Sequence, residues 1–133
     1  MSYEYALAPW QPRLLSVLRI ITGLMLFQFG VAKILKFPPN TPFAKVEVFS
    51  LVGYAGLIEL FLGALLIVGL FTRPVAFILA GEMAFAYFIG HFPTSFYPVI
   101  NGGTPAILLC FTCLYLASAG PGPWSVDARA RRA

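Results

Sequence analysis

Charged residues are scarce in this chain, since Asp, Glu, Lys and Arg make up only 11% of its 133 residues. A water-soluble domain typically carries about 25% charged residues, which it needs to solvate its surface. Hydrophobic residues reach 59%, and the mean hydropathy is +0.84. This balance excludes an ordinary soluble domain and a disordered chain, and it predicts that lipid surrounds the apolar excess.

Cysteine and histidine are also rare, with two cysteines and one histidine. Two cysteines exclude a disulfide scaffold, and a single histidine predicts that there is no haem or metal site. The sequence has no glycine-rich nucleotide fingerprint, so no flavin site is predicted either. The net charge is +4, but its cations are scattered singly until the C-terminal tail, which argues against nucleic acid as a partner.

Four apolar stretches approach the length of about 20 residues that a helix needs to cross a bilayer. They cover roughly residues 14–35, 51–71, 74–92 and 104–119. Because they occupy most of the chain, residues 1–133 are predicted to form a single membrane domain. We predict an all-α membrane protein, an antiparallel bundle of four transmembrane helices.

The positions of lysine and arginine predict the orientation. Four spans would place both termini and the turn at Arg73 on the same side of the membrane. That side carries most of the arginines, namely Arg13, Arg73, Arg129, Arg131 and Arg132. The opposite loops carry only Lys36 and Lys45, so the positive-inside rule predicts that both termini are cytoplasmic.

Four ionisable residues fall inside the predicted spans, where each costs about 2.5–3.5 kcal/mol to insert. They are Arg19, Lys33, Glu59 and Glu82. Small residues at helical spacing share the faces of Arg19, Glu59 and Glu82, which predicts that these side chains point into the bundle.

Depth along the helices suggests how these charges are arranged. A rise of about 1.5 Å per residue brings Arg19 and Glu82 to similar depths, which predicts that they pair. Lys33 is expected to extend its ammonium group to the outer boundary. Glu59 would then lie near the middle without a cation and would handle a proton or a ligand. A buried polar network that only fixes helix register explains the pattern equally well.

Two further features carry weaker signals. Cys110 and Cys113 have the C-x-x-C spacing of redox and metal sites, but inside an apolar helix packing is the favoured interpretation. His91 precedes a loop that contains Tyr97, Asn101 and several phenylalanines. Such a loop suits an apolar pocket for a flat ligand, and it also suits a lipid-facing loop.

The ordered set of short motifs resembles the DoxX family over nearly the whole chain. The motifs that carry the resemblance lie at residues 27–33, 56–59, 69–74, 81–88, 91, 101–103 and 120–127. Two positions depart from the family pattern: Phe29 stands where a histidine is expected, and Thr104 stands where a glutamate is expected. Glu59, Arg73, Glu82 and His91 match it.

The resemblance implies a four-helix protein of the bacterial inner membrane. Some members of the family form the membrane subunit of a thiosulfate:quinone oxidoreductase, and others are linked to quinones, oxidative stress or soluble redox enzymes. The expected ligand is therefore a diffusible quinone, with no cofactor bound covalently. The expected partners are the lipid bilayer, a second copy of the chain or a soluble redox enzyme.

The sequence thus predicts a quinone-associated component of a membrane redox or oxidative-stress system. Glu59 and Glu82 are the predicted catalytic, proton-handling residues. The predicted ligand-binding residues are Arg19, Arg73, His91 and Asn101. Two alternatives are a transporter or exporter subunit for small molecules and an assembly subunit without chemistry of its own.

Overall fold

The computed structural model describes residues 2–132, and within that range all regular structure is helical. Two 3-10 turns, Ser2–Tyr5 and Ala8–Trp10, precede the first long helix. The helices that follow are α1 (Gln11–Gly30, continued by a π-helical segment, Val31–Leu35), α2 (Leu51–Val68), α3 (Thr72–Gly90), α4 (Pro98–Asn101), α5 (Thr104–Ala119) and α6 (Val126–Arg132). Three apolar helices, Ala8–Leu35, Leu51–Val68 and Thr72–Gly90, are long enough to cross a membrane, and α5 is a shorter apolar helix.

Local signals explain where α2 begins and ends. The Ser50 hydroxyl caps its start by accepting a hydrogen bond of 3.1 Å from the Gly53 amide. The helix stops at Gly69, which adopts a left-handed conformation with φ of 74° that glycine tolerates without steric cost. The sequence predicted that this span continues to residue 71, because Leu70 and Phe71 are apolar and hydropathy does not detect a turn.

The helices α1 and α2 form a tight antiparallel pair through glycines. A Cβ atom on Gly23 would lie 2.8 Å from the Ile67 amide nitrogen, and one on Gly63 would lie 2.9 Å from that of Phe27. At the far end, a Cβ on Gly30 would lie 2.6 Å from the Leu60 Cα. The two backbones therefore touch along three turns, the close approach that small residues permit in membranes.

The helices α3 and α5 form the second antiparallel pair. Arg73, at the start of α3, reaches the carbonyl oxygens of Ala117 and Ser118 at the end of α5. Near the opposite end, a Cβ on Gly103 would lie 2.5 Å from the Tyr87 ring. The helix α2 contacts α3, and the buried core between the pairs contains Leu26, Leu66, Leu79, Met83, Cys113 and Leu116.

The outward faces of these helices are apolar. Phe61, Phe77, Phe85 and Phe111 are each more than 60% exposed. Their exposure on three different helices is the pattern expected of a surface solvated by lipid. We call the end that holds Arg13, Arg73 and α6 the arginine-rich end, and the end with the loops 36–50 and 91–103 the lysine-rich end.

The contact between α1 and α2 predicts that alanine destabilises the protein at Gly30 but not at Gly81. Gly30→Ala should lower the free energy of unfolding by about 1–3 kcal/mol, because the added methyl meets the Leu60 backbone, which cannot move without separating the helices. Gly81→Ala is the matched control, since its methyl meets no atom of the described chain within 4 Å. Equal thermal unfolding of the two variants in detergent micelles would contradict this account.

Candidate functional site

A buried ion pair joins α2 to the π-helical end of α1. The Lys33 ammonium donates a hydrogen bond of 2.8 Å to the Glu59 carboxylate, and the two side chains are only 9% and 1% exposed. The Lys33 nitrogen also lies 5.8 Å from the ring centre of Phe29 and 5.0 Å from that of Phe43. A carboxylate and two aromatic faces therefore surround this cation.

The Glu82 carboxyl group lies close to that pair, on α3. Both of its oxygen atoms are buried, and neither makes a hydrogen bond of ordinary geometry to a described residue, although the Glu59 carboxyl group is close enough to interact with them. Its charged neighbours are Glu59 and Lys33, and the Cys113 thiol of α5 is also near. We call Lys33, Glu59 and Glu82 the carboxyl cluster.

These contacts correct the arrangement of charges that was predicted from depth. Glu59 does have its own cation, and the Lys33 ammonium does not extend to the outer boundary but turns back into the protein. Arg19 does not pair with Glu82; within residues 2–132 its hydrogen bonds go to backbone carbonyl groups. The predicted burial of Arg19 and Glu59 is confirmed, at 0% and 1% exposure.

The direction of helical side chains explains these corrections. The Cα–Cβ bond of a helical residue tilts toward the helix N-terminus. Lys33, near the end of α1, therefore points back toward the middle, while Glu59 on antiparallel α2 points toward Lys33. The same tilt directs Arg19 away from the middle and toward the arginine-rich end. Depth counted from Cα positions ignores this displacement, which for lysine and arginine spans several ångströms.

A cage of carbonyl groups holds the Arg19 guanidinium. It donates to Leu66 and Ile67 at the end of α2, at 3.0 and 3.3 Å. It also donates to Pro121 and, at 2.7 Å, to Trp124, in the segment that follows α5. The planar guanidinium offers five N–H donors in a fixed fork, so one side chain can bind the ends of two segments.

The C-terminal segment also caps α3 through Asp127. Its carboxylate accepts hydrogen bonds of 2.9 Å from the amides of both Phe71 and Thr72. Burial by itself raises the pKa of Asp127, but the two amide donors, together with the Thr72 side chain and the charge of Arg131, hold the pKa below its ordinary value. The carboxylate is therefore charged at neutral pH and well matched to a helix N-terminus. In the sequence, Asp127 was only the last residue of the motif at residues 120–127, and no cap was predicted there.

Arg73 has a comparable role at the end of α5. Its guanidinium donates to the Ala117 carbonyl at 3.3 Å and to that of Ser118. These oxygens lack partners within the helix, so a nearby cation stabilises them. The ligand-binding role predicted for Arg73 stays a prediction. In the structure, its guanidinium donates to carbonyl groups of the chain's own backbone.

His91 and Asn101 lie together at the lysine-rich end. The His91 Nδ1 atom is 3.0 Å from the Asn101 carbonyl oxygen, which only accepts, so Nδ1 carries the proton. The Asn101 side chain donates to the Tyr87 hydroxyl and to the Ser95 carbonyl and accepts from the Gly103 amide, at 3.1, 2.9 and 2.7 Å. Asn101 thus organises the loop, and its carbonyl group orients the His91 ring.

The predicted site residues therefore occupy three places rather than one. Glu59 and Glu82 meet in the middle, Arg19 and Arg73 lie at the arginine-rich end, and the His91–Asn101 pair lies at the other. Lys33 joins the first group, and sequence reasoning missed it as the partner of Glu59. Its place near the C-terminus of its helix, together with the tilt of helical side chains, was the signal that could have found it.

Comparisons with known proteins identify the family of the chain. A profile of the DoxX family matches residues 14–92, which is more than half of the chain. The chain belongs to the DoxX family. Together with its apolar helices, this membership makes it an integral membrane protein.

A relative of this DoxX protein is an uncharacterised protein of Haemophilus influenzae. The two are 39% identical over 125 residues, covering 91% of this chain and 93% of the relative. No solved structure matches the chain. The matched part of the family profile contains the whole carboxyl cluster, whereas Asn101 and the C-terminal segment lie beyond it.

The buried ion pair of this DoxX protein predicts strong coupling between its members. Removing one partner leaves a buried charge uncompensated, so Lys33→Met or Glu59→Met alone should lower the free energy of unfolding by about 3–5 kcal/mol. The double variant should recover most of this loss, because two thioether side chains of similar size fill the same space.

The measurement is a double-mutant cycle on thermal unfolding in lipid nanodiscs, with Lys45→Met as the control. Lys45 is exposed, so its replacement should have little effect. Additive losses in the double variant would show that the pair contributes no coupling and would contradict the prediction.

Proposed function

We propose that the protein crosses the bacterial inner membrane four times, as an antiparallel bundle of α1, α2, α3 and α5. The contacts of Arg73 and Tyr87 support this, because they place the two ends of α5 beside the two ends of α3. With 16 residues, α5 is about 24 Å long, close to the hydrocarbon thickness of about 30 Å. If α3 spans the bilayer, α5 does too.

We propose further that the arginine-rich end faces the cytoplasm. All six arginines of the sequence lie toward this end, and all three lysines lie toward the other. Five of the arginines lie outside the apolar core of the helices, against Lys36 and Lys45 opposite. The excess of cations favours a cytoplasmic location for both termini.

This orientation predicts the activity of fused reporters. Alkaline phosphatase, which folds only in the periplasm, should be inactive when it is fused after residue 133 and active when it is inserted at residue 45. Green fluorescent protein at the same two positions should give the opposite pattern. A phosphatase-active C-terminal fusion would overturn the orientation.

For the function, we propose that the carboxyl cluster takes up and releases a proton in a quinone-linked membrane redox system. The observation that carries this is the Glu82 carboxyl group, which is buried beside the Lys33–Glu59 pair and unpartnered among the described residues. Charging an isolated carboxyl out of water is costly, so Glu82 is expected to hold a proton at rest. Intramembrane carboxyls of this kind mark proton relays and ligand sites.

The chemistry of the neighbours fits that role. The Lys33 ammonium donates a hydrogen bond to Glu59, so a proton that leaves Glu82 would have a second carboxyl group beside it to which it could pass. Reducing a quinone to a quinol consumes protons as well as electrons. The two electrons would come from a soluble redox enzyme docked on the membrane, one of the partners that the family resemblance implies.

The lysine-rich end offers a place for the quinone ring. The rings of Tyr87, Phe88, Phe92, Phe96 and Tyr97 follow one another with centroids 5.3 to 6.3 Å apart. Because Nδ1 of His91 faces a carbonyl oxygen, Nε2 is the ring nitrogen left to bond a quinone carbonyl or a quinol hydroxyl. Asn101 would act as a positioning residue that holds the ring in this orientation.

Glu82→Gln tests the proposal, because it keeps the shape of the side chain and removes the proton. In nanodiscs, infrared spectra of the wild type should show the carbonyl stretch of a protonated carboxyl group, and the variant should lose it. Binding of a short-chain benzoquinol should be accompanied by proton uptake or release in the wild type only. Calorimetry in two buffers of different ionisation enthalpy measures the number of protons exchanged with the buffer.

The control for this test is Glu47→Gln, which removes an exposed carboxylate of the 36–50 loop and should behave as the wild type. Quinol binding by wild type with the same proton exchange in Glu82→Gln would reject the proton-handling role. A wild type that binds no quinol while its Glu82 band shifts with pH would reject the quinone part and favour the transporter alternative.

A further inference from the structure

A cavity of about 470 Å³ opens at the arginine-rich end, outside the carboxyl cluster and the aromatic loop. It lies between the last turn of α2, the first half of α1 and the segment from Pro123 to Arg132. Three arginines line it, Arg19, Arg129 and Arg132. We call this cavity the arginine pocket.

The arginine pocket carries a positive charge that its wall does not neutralise. No acidic residue is among the described residues that line it. Arg19 is fully buried, and its bonds to four carbonyl groups use four of its five donors but leave its charge in place. The nearby carboxylate, Asp127, already accepts from the amides of Phe71 and Thr72 at the start of α3.

The two outer arginines stand at the mouth of the pocket. Arg129 and Arg132 are exposed, and they lie one turn apart on α6. Arg132 donates to the Ala128 and Pro123 carbonyl groups at 3.4 and 3.3 Å, long bonds that leave it free to engage a stronger acceptor. Two adjacent guanidinium groups are well suited to the oxygens of a phosphate group.

The other side of the pocket is apolar. Ile20 of α1 and Ile67 and Val68 of α2 line it. The Trp124 ring lines the pocket as well and is 53% exposed, as expected of an indole at a membrane–water boundary. A ligand that fills this space must therefore be anionic at one end and apolar at the other.

We propose that the arginine pocket binds an anionic phospholipid. Arg129 and Arg132 contact the phosphate, the buried charge of Arg19 attracts it from beneath, and an acyl chain lies along Ile20, Ile67 and Val68. The apolar wall favours a lipid over a soluble phosphate, which would leave that wall unmatched. This inference uses the membrane location of the protein and is independent of the proposed quinone role.

The site has a structural consequence, because the same segment holds Arg19 and caps α3 with Asp127. A lipid that binds the folded segment stabilises the folded protein by mass action. Anionic lipid should therefore raise the unfolding temperature, and zwitterionic lipid should not.

The test compares two double variants of equal charge. Arg129→Gln/Arg132→Gln removes the two outer arginines of the pocket, whereas Arg13→Gln/Arg131→Gln removes two exposed arginines at the same end that do not line it. Native mass spectrometry of the full chain with phosphatidylglycerol measures binding, and thermal unfolding measures the stabilisation. The first variant should bind the lipid about tenfold more weakly or worse, and the second should match the wild type.

Three outcomes would overturn the proposal. Equal losses in the two variants would show attraction by surface charge alone. Equal binding of phosphatidylglycerol and phosphatidylcholine by the wild type in mixed nanodiscs, which needs no variant, would show that the pocket does not select an anion. Stabilisation of the wild type by inorganic phosphate to the same extent as by the lipid would identify a site for soluble anions instead.

Discussion

The close approach of α1 and α2 is the constraint on which the rest of the structure depends. Their glycines remove the side chains that would separate the two backbones, so Gly30 lies directly on the backbone at Leu60. Gly56 makes room for Lys33 in the same way, because a Cβ atom on Gly56 would lie only 2.7 Å from the Lys33 Cβ. The buried ion pair therefore needs a glycine one turn from its carboxylate, and packing and electrostatics are coupled at a single contact.

The protein stabilises its buried cations in two different ways. Lys33 meets a carboxylate and two aromatic rings, which suits a compact ammonium group. Arg19 meets four backbone carbonyl groups, which suits a broad, planar guanidinium that cannot lose its proton. The first arrangement joins the π-helical end of α1 to α2, and the second joins the C-terminal segment to the α1–α2 pair.

The carboxyl cluster takes its members from both helix pairs. Lys33 and Glu59 come from the α1–α2 pair, while Glu82 and the neighbouring Cys113 come from the α3–α5 pair. A shift of one pair against the other would therefore change the distances within the cluster. The geometry of this cluster depends on how the two pairs pack.

The sequence by itself determined the helical membrane character, since apolar composition and length are local properties that need no partner. It also identified the buried charges Arg19 and Glu59, because small residues at helical spacing indicate the packed face. Only the tertiary structure decided which charges meet. Pairing depends on the tilt of each side chain and on the register between helices, and neither is encoded within one helix. That is why Lys33 rather than Arg19 supplies the intramembrane cation, and why Asp127 caps a helix far from it in the sequence.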